Sequence, residues 1–408
     1  MSAPVPLHKN RDYMLLWSGQ VVSNLGSNAS HVIYPLLILA MTGSPTAAGI
    51  AGALRTIPYL LFSLPVGALI DRWDRKRVMA VCNASSAVAV GSLPIAMAFD
   101  ALTLAQVYAV SFIQGTFFVF FNIAEVAALP RVVPRSQLPQ ATAQNEAGYG
   151  VATILGPSIG TFLYQSFGRA VPFIADAITY VIAFLSLLAI KTPFQAQAAP
   201  GKRNLRAEIA DGVRWLWGQP LIRFMAFLTG GLNLVNAAIP LIVIVLAKQL
   251  GASDTEVGFV FSIAGMGAIV GSLIGGQIQR RFTFGQVIVA AMWINAFLFT
   301  LLIAVPSFFL AGVLCALVFM LGPIYNVVQF SYRVALIPDE LQGRVNSTFR
   351  LVAFAFMPVG AALGGLVIEH AGVEEAIALF GAWYFLLATV TALNRHVRSA
   401  APIATLAS

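Results

Sequence analysis

The sequence predicts an all-α membrane protein, with twelve transmembrane helices in two pseudo-symmetric six-helix bundles. Three observations predict it. Hydrophobic residues make up 59% of the 408 residues and charged residues only 10%, against roughly a quarter charged in an average soluble domain. Apolar runs fill the chain from end to end: from Phe282 to Tyr332 there are 51 residues without an Asp, Glu, Lys or Arg. The second half also repeats glycines and prolines of the first at fixed offsets. A soluble fold of this size could not clothe itself in so few charges.

A spanning helix takes about 20 apolar residues. Cutting the apolar runs at charge clusters and Gly/Pro turns places six spans near 13–41, 46–70, 78–99, 102–129, 138–166 and 170–190. Six more fall near 220–249, 255–279, 284–304, 307–335, 341–369 and 373–394. Gly43-Ser44-Pro45, Phe167-Gly168-Arg169 and Pro306-Ser307 mark turns between them. The first span follows a short basic lead, Lys9 and Arg11, with no A-x-A-type cleavage site, so it reads as a retained span. Between the halves, Lys191 to Gln219 is polar. Within it Leu205, Ile209, Val213 and Leu216 recur at helical spacing beside Trp215 and Trp217. That pattern predicts an amphipathic helix on the cytoplasmic surface, the alternative being a floppy connector. The expected organisation is therefore 1–195 as the N-terminal bundle, 196–218 as a cytoplasmic linker and 219–408 as the C-terminal bundle.

The halves align at an offset of 209 from Gly49 to Val78, matching Gly67 with Gly276 and Arg72 with Arg281. Further on, an offset of 204 matches Pro134 with Pro338, Gly156 with Gly360, Gly160 with Gly364 and Gly168 with Gly372. Such residues specify close packing, bends and turns, so these matches are matches of backbone. An even number of spans separates the copies, which gives parallel bundles related by an axis along the membrane normal. With both termini cytoplasmic, 21 of the 24 Lys and Arg fall in or beside cytoplasmic loops, as the positive-inside tendency requires.

The loop after the second span reads Gly67-Ala-Leu-Ile-Asp71-Arg72-Trp73-Asp74-Arg75-Lys76-Arg77. A carboxylate at a helix end followed by four cations can form a hydrogen-bonded clamp. This loop resembles motif A of the major facilitator superfamily, with Asp74 where a small residue is usual. Its second copy, Gly276 to Gln286, keeps Gly276, Arg280 and Arg281 but lacks the acid. Helix 5 carries Gly148, Gly156-Pro157 and Gly160. These resemble motif C, which in that superfamily marks exporters and antiporters; Thr161 replaces its last glycine. Gln114-Gly115 resembles motif B, but Ser111 stands where that motif has an arginine, so no proton-transfer role carries over. Asn10-Arg11-Asp12-Tyr13 and the segment Leu205 to Trp215 with Pro220 to Arg223 resemble one drug:proton antiporter branch, that of macrolide-efflux and enterobactin-exporter-type proteins. The resemblance implies the major facilitator fold and export of bulky amphiphiles.

Polar and aromatic residues mark four spans. They are Asn24, Asn28 and His31; Gln114, Phe118, Phe121 and Glu125; Thr229, Asn233 and Asn236; and Tyr325, Asn326, Gln329 and Tyr332. Helical spacing puts each set on one face. Such faces meet water or protein in a membrane, as a cavity lining or as interhelical glue. In the resembled family these helices, one, four, seven and ten, line the central cavity. Neutral polar groups beside Phe and Tyr suit a large, partly apolar substrate. Titratable groups inside spans are functional suspects. Glu125 is expected to pair with Arg72 or Arg75 in the gating motif, the alternative being proton carriage. Glu146 and its repeat equivalent Arg350 are expected to form a latch released by protonation. Asp176 and His31 are proton-coupling candidates with structural readings as alternatives.

Composition and motifs narrow the classes. Cys82 and Cys315 lie in apolar runs and give no disulfide framework, metal motif or redox motif. No G-x-x-x-x-G-K-[ST] loop is present, which disfavours a primary pump. No HExxH or nucleophile elbow appears, and His8, His31, His370 and His396 are scattered, which disfavours an enzyme. No cofactor, metal or nucleic-acid partner is expected. The resemblance implies a monomeric efflux transporter of a bacterial inner membrane, exchanging a drug-, macrolide- or siderophore-like molecule for protons within the lipid bilayer. The alternatives are a lipid or metabolite carrier or importer of the same fold, and a non-transporting assembly partner.

Overall fold

The computed structural model describes residues 6–70, 72–195, 205–338 and 341–400, and among them every regular element is helical. The helices of the first half are α1 (Arg11–Thr42), α2 (Pro45–Ile70), α3 (Arg75–Ala98), α4 (Leu104–Val132), α5 (Leu138–Phe167) and α6 (Val171–Ala189). Then come α7 (Leu205–Gly218), α8 (Pro220–Gln249), α9 (Asp254–Arg281), α10 (Phe284–Thr300) and α11 (Phe308–Leu336). The last are α12 (Gln342–Phe354), α13 (Met357–His370), α14 (Val373–Leu393) and the short α15 (Arg395–Arg398). Among the described residues, 11 segments are long and apolar enough to cross a membrane. The expected span that falls outside that set is α5. Its 30 residues are long enough, but Gln140, Gln144, Asn145 and Glu146 dilute its first half.

Local sequence sets the helix ends. Asn10 caps α1, its side chain accepting from the Tyr13 N–H at 3.1 Å, and Gly43 closes the helix in the left-handed region at φ 67°. Ser253 with Glu256, and Thr283 with Gln286, form capping boxes at α9 and α10. Lys248 at the end of α8 pairs with Asp254 at 2.7 Å.

The chain divides into two compact units: Met1–Gly43 with Leu54–Lys202, and Ser44–Ala53 with Arg203–Ser408. In unit 1, α1 packs on α5 and α6, and α3 packs on α4 and α6. Glycines decide how closely α1 and α5 approach. A Cβ at Gly160 would collide with the Ala29 carbonyl oxygen, and one at Gly156 would lie 2.6 Å from the Asn28 Cβ. A core forms around Tyr13, Leu16, Met79, Ala124 and Phe194. There the Tyr13 hydroxyl donates to the Ala141 carbonyl at 3.2 Å and Trp17 Nε1 to the Gln144 carbonyl at 3.0 Å.

In unit 2, α8 packs on α12, α13 and α14, α9 on α11, and α10 on α11 and α14. The α8–α13 contact repeats that of α1 with α5: a Cβ at Gly360, the counterpart of Gly156, would collide with the Leu234 carbonyl. The expected span near 341–369 is present as one apolar segment, Arg344–His370. Its helix is interrupted, because α12 ends at Phe354 and α13 begins at Met357. Pro358 has no N–H to offer the Phe354 carbonyl. The adjacent Ala353 carbonyl accepts instead from Asn233 Nδ2 of α8 at 2.8 Å.

The amphipathic segment forms α7, with Leu216 fully buried and Val213 and Trp217 exposed. It packs on α12, where a Cβ at Gly212 would lie 2.7 Å from the Arg344 carbonyl oxygen. Asp211 also meets Arg344 at 3.1 Å, but both side chains are about two-fifths exposed, so the pair is worth at most about 1 kcal/mol. Close packing therefore outweighs charge at this joint. Gly212→Val is expected to lower stability by about 1–3 kcal/mol and Asp211→Asn by less than about 1 kcal/mol. Thermal unfolding in detergent measures both, and the reverse order would contradict this account.

Candidate functional site

Unit 2 holds an open-sided pocket of about 270 Å³ lined by residues of α8, α9, α10, α11 and α14. Its polar lining is neutral: Thr229, Asn233, Asn236, Asn295, Tyr325, Asn326 and Tyr384, set among Leu232, Met292, Val318 and Phe319. Thr229 Oγ1 and the Tyr325 hydroxyl lie 2.7 Å apart, and the Tyr384 hydroxyl donates to Asn236 Oδ1 at 3.4 Å. Asn295 is 7% exposed, and its Oδ1 has no hydrogen-bond partner. A buried amide without a partner costs free energy, so this wall is prepared for a group that a guest would bring. The volume lies just below the roughly 300–1,000 Å³ of drug-sized ligand pockets. That is room for one ring-sized portion of a larger molecule.

The expected cavity residues of the second half gather here: Asn233, Asn236, Tyr325 and Asn326 all line the pocket. Gln329 lies one turn farther along α11, 5% exposed with Nε2 unpartnered, and is not among the lining residues. The sequence reading passed over Asn295, Met292 and Tyr384. Asn295 is the only amide of α10 besides Gln286 at its first turn, and that isolation was the available signal.

In unit 1 the predicted residues are more dispersed. Asn28 donates to the Asn24 carbonyl at 2.8 Å. Gln114 is buried and accepts from the Tyr34 hydroxyl at 3.4 Å, while its Nε2 is unpartnered. His31 and Phe118 are exposed, and Phe121 packs against the unit 1 core. Glu125 takes Gln20 as its partner, accepting from Nε2 at 2.9 Å, and among the described residues no ion pair joins it to Arg72 or Arg75. A neutral amide on α1 therefore occupies the carboxylate that a gate clamp would use. Glu146 and Arg350 are both exposed in their own units, and the Arg350 guanidinium lies 6.0 Å from the Phe354 ring centroid.

Of the gating motif, Gly67 lies in α2 and Asp71 falls outside the described residues. Arg75 Nη1 donates to the Ala127 carbonyl at 2.8 Å and Lys76 Nζ to the Ile190 carbonyl at 2.6 Å. These cations thus meet carbonyls at the ends of α4 and α6, where the helix dipole favours positive charge. Asp74 caps α3 through the Arg77 N–H at 3.1 Å. Of the antiporter motif, Gly148, Gly156, Pro157 and Gly160 are all buried in α5. Trp17 and Val21 face Gly148.

Residues 1–406 match the family model described as transmembrane secretion effector. The chain belongs to that family, within the major facilitator superfamily. Full-length relatives of this secretion-effector chain include the multidrug efflux pump Tap of Mycolicibacterium fortuitum, 24% identical, covering 96% of this chain and 97% of the relative. Macrolide efflux protein A of Streptococcus pyogenes is 26% identical, covering 95% and 96%. Among solved structures, the nucleoside transporter NupG superposes with a TM-score of 0.74 at 13% identity, over 93% of this chain and 98% of that one. That likeness shows the major facilitator fold. The secretion effector is thus a multi-pass membrane transporter of an efflux family, and not an enzyme.

Proposed function

We propose that this chain exports hydrophobic or amphiphilic small molecules, drug-, macrolide- or siderophore-like, by alternating access in exchange for protons. In this reading it works as a monomer in a bacterial inner membrane with both termini cytoplasmic, the side that 21 of its 24 Lys and Arg favour. The carrying observation is the neutral amide- and phenol-lined pocket of unit 2. A site for a phosphate or a carboxylate would present a cation, and a metal site would present carboxylates or imidazoles. This wall presents amides, hydroxyls, Met and Phe, which suit a ring bearing hydroxyl or carbonyl groups on an apolar body. The relatives named for multidrug and macrolide efflux support the same class.

Flux into proteoliposomes tests the reading. A macrolide and a lipophilic drug are offered to vesicles with and without an imposed pH gradient. Uptake by inside-out protein that rises several-fold when the lumen is acid supports export in exchange for protons. Uptake that ignores the gradient removes the proton, and uptake only in the opposite direction removes export.

A further inference from the structure

Unit 1 holds a polar site of its own. Asp176 of α6 is fully buried. The Ser30 hydroxyl donates to its Oδ2 at 2.5 Å, and the Ser27 hydroxyl lies 3.4 Å from its Oδ1. Ser27 Oγ in turn lies 2.9 Å from the Tyr180 hydroxyl, and Ser86 of α3 faces that hydroxyl. Thr179 Oγ1 donates to the Asp176 carbonyl at 2.7 Å. Among the described residues, no Lys, Arg or His forms an ion pair with Asp176. The charged and titratable groups that act on it are Arg55 of α2, Tyr34 of α1 and Tyr180 of its own helix. From α3 the facing group is the neutral Ser86. Arg55 is held elsewhere, its guanidinium 5.9 Å from the Tyr34 ring centroid.

We propose that Asp176 binds a proton, and that Ser27 and Tyr180 form a reversible hydroxyl relay to it. This rests on the reading of the chain as a proton-coupled exporter and names where its proton sits. With Asp176 ionised, Tyr180 O–H points to Ser27 and Ser27 O–H to the carboxylate. With Asp176 protonated, its own O–H points to Ser27 Oγ and the chain reverses, Ser27 donating to Tyr180. One proton is added and none is lost, and Ser27 stays between the same two oxygens in both states.

The internal repeat sharpens the assignment. Tyr180 matches Tyr384 at the offset of 204, and Tyr384 turns its hydroxyl to Asn236 of α8 as Tyr180 turns to Ser27 of α1. At the same offset Asp176 matches Phe380, which is 1% exposed. The two units share a frame. The copy in unit 2 is neutral and opens on the pocket, while the copy in unit 1 carries the acid.

Infrared spectroscopy of the purified protein in lipid, titrated with pH, tests the site without any substrate. The expected result is a protonated-carboxyl stretch that grows as pH falls. It disappears in Asp176→Asn, changes frequency in Tyr180→Phe and persists in Glu125→Gln and Glu146→Gln. A titrating band that survives intact in Asp176→Asn overturns the proposal, as does the absence of any titrating band in the wild type. Tyr180→Phe keeps the test decisive if Asp176→Asn folds poorly. Flux separates the two readings: Asp176→Asn is expected to lose most of the several-fold pH-gradient stimulation. Stimulation unchanged in Asp176→Asn overturns this proposal. A wild type with no stimulation overturns proton exchange itself, and the infrared band still decides the site.

Discussion

Gly160→Val is expected to lower the stability of the chain by about 3 kcal/mol or more, at the upper end of the penalty for overpacking a tight contact. A Cβ there would collide with the Ala29 carbonyl oxygen, which is backbone and cannot rotate aside. Either α5 moves off α1, or α1 distorts where Ser27 and Ser30 face Asp176. Without a hydrophobic force between helices in lipid, this close contact is what holds them together. Gly360→Val is expected to behave alike, since a Cβ there meets the Leu234 carbonyl. Gly276→Ala is the control: it sits in the interior of α9 with nothing within 4 Å of an added Cβ. Helix propensity then predicts a gain of up to about 1 kcal/mol. Thermal unfolding of the three variants in one detergent measures the contrast. A Gly160→Val protein as stable as wild type would refute the packing account.

Asn295→Leu is expected to move stability and transport in opposite directions. Its buried Oδ1 has no partner, so an apolar side chain of similar size removes an unsatisfied group and gains about 1 kcal/mol. The same change removes the group prepared for a guest, and KM for export is expected to rise about tenfold, the equivalent of about 1.4 kcal/mol. Asn233→Leu makes the comparison. Its amide holds the Ala353 carbonyl at the break between α12 and α13, so its loss orphans a backbone acceptor and costs about 1–3 kcal/mol. Stability and transport should therefore fall together in Asn233→Leu. An Asn295→Leu protein that loses stability, or exports with unchanged KM, would place the pocket residue in a structural role.

Fold class was legible because a bilayer reads composition almost directly. Few charges, apolar runs of spanning length and a glycine register repeated at 204 each constrain the backbone. The break at Ala355 was not legible, because Pro358 in an apolar run looks the same whether a helix bends around it or stops. Half of the site was legible on the same terms. Asn233, Asn236, Tyr325 and Asn326 stand on the faces that helical spacing indicated. Asn295 and Tyr384 come from α10 and α14 and reach the pocket only through tertiary packing, which no spacing within one helix reports. The Gln20 partner of Glu125 escaped the sequence for a related reason. Charge complementarity in a sequence names candidates, but the hydrogen bond comes from a neutral amide, Gln20, 105 residues away.

The break between α12 and α13 also bears on the order in which the chain is made. Its two pieces have 13 and 14 residues, each roughly 20 Å long at 1.5 Å per residue, short of a hydrocarbon core of about 30 Å. Neither piece can settle across the bilayer alone, and the Ala353 carbonyl in the last turn of α12 needs a donor that lipid cannot supply. Asn233 precedes Ala353 by 120 residues. When the broken segment leaves the ribosome, the amide that completes it already waits in the membrane on α8. A permuted chain beginning between α8 and α12 would deliver the broken segment first, into a bilayer with nothing to receive it.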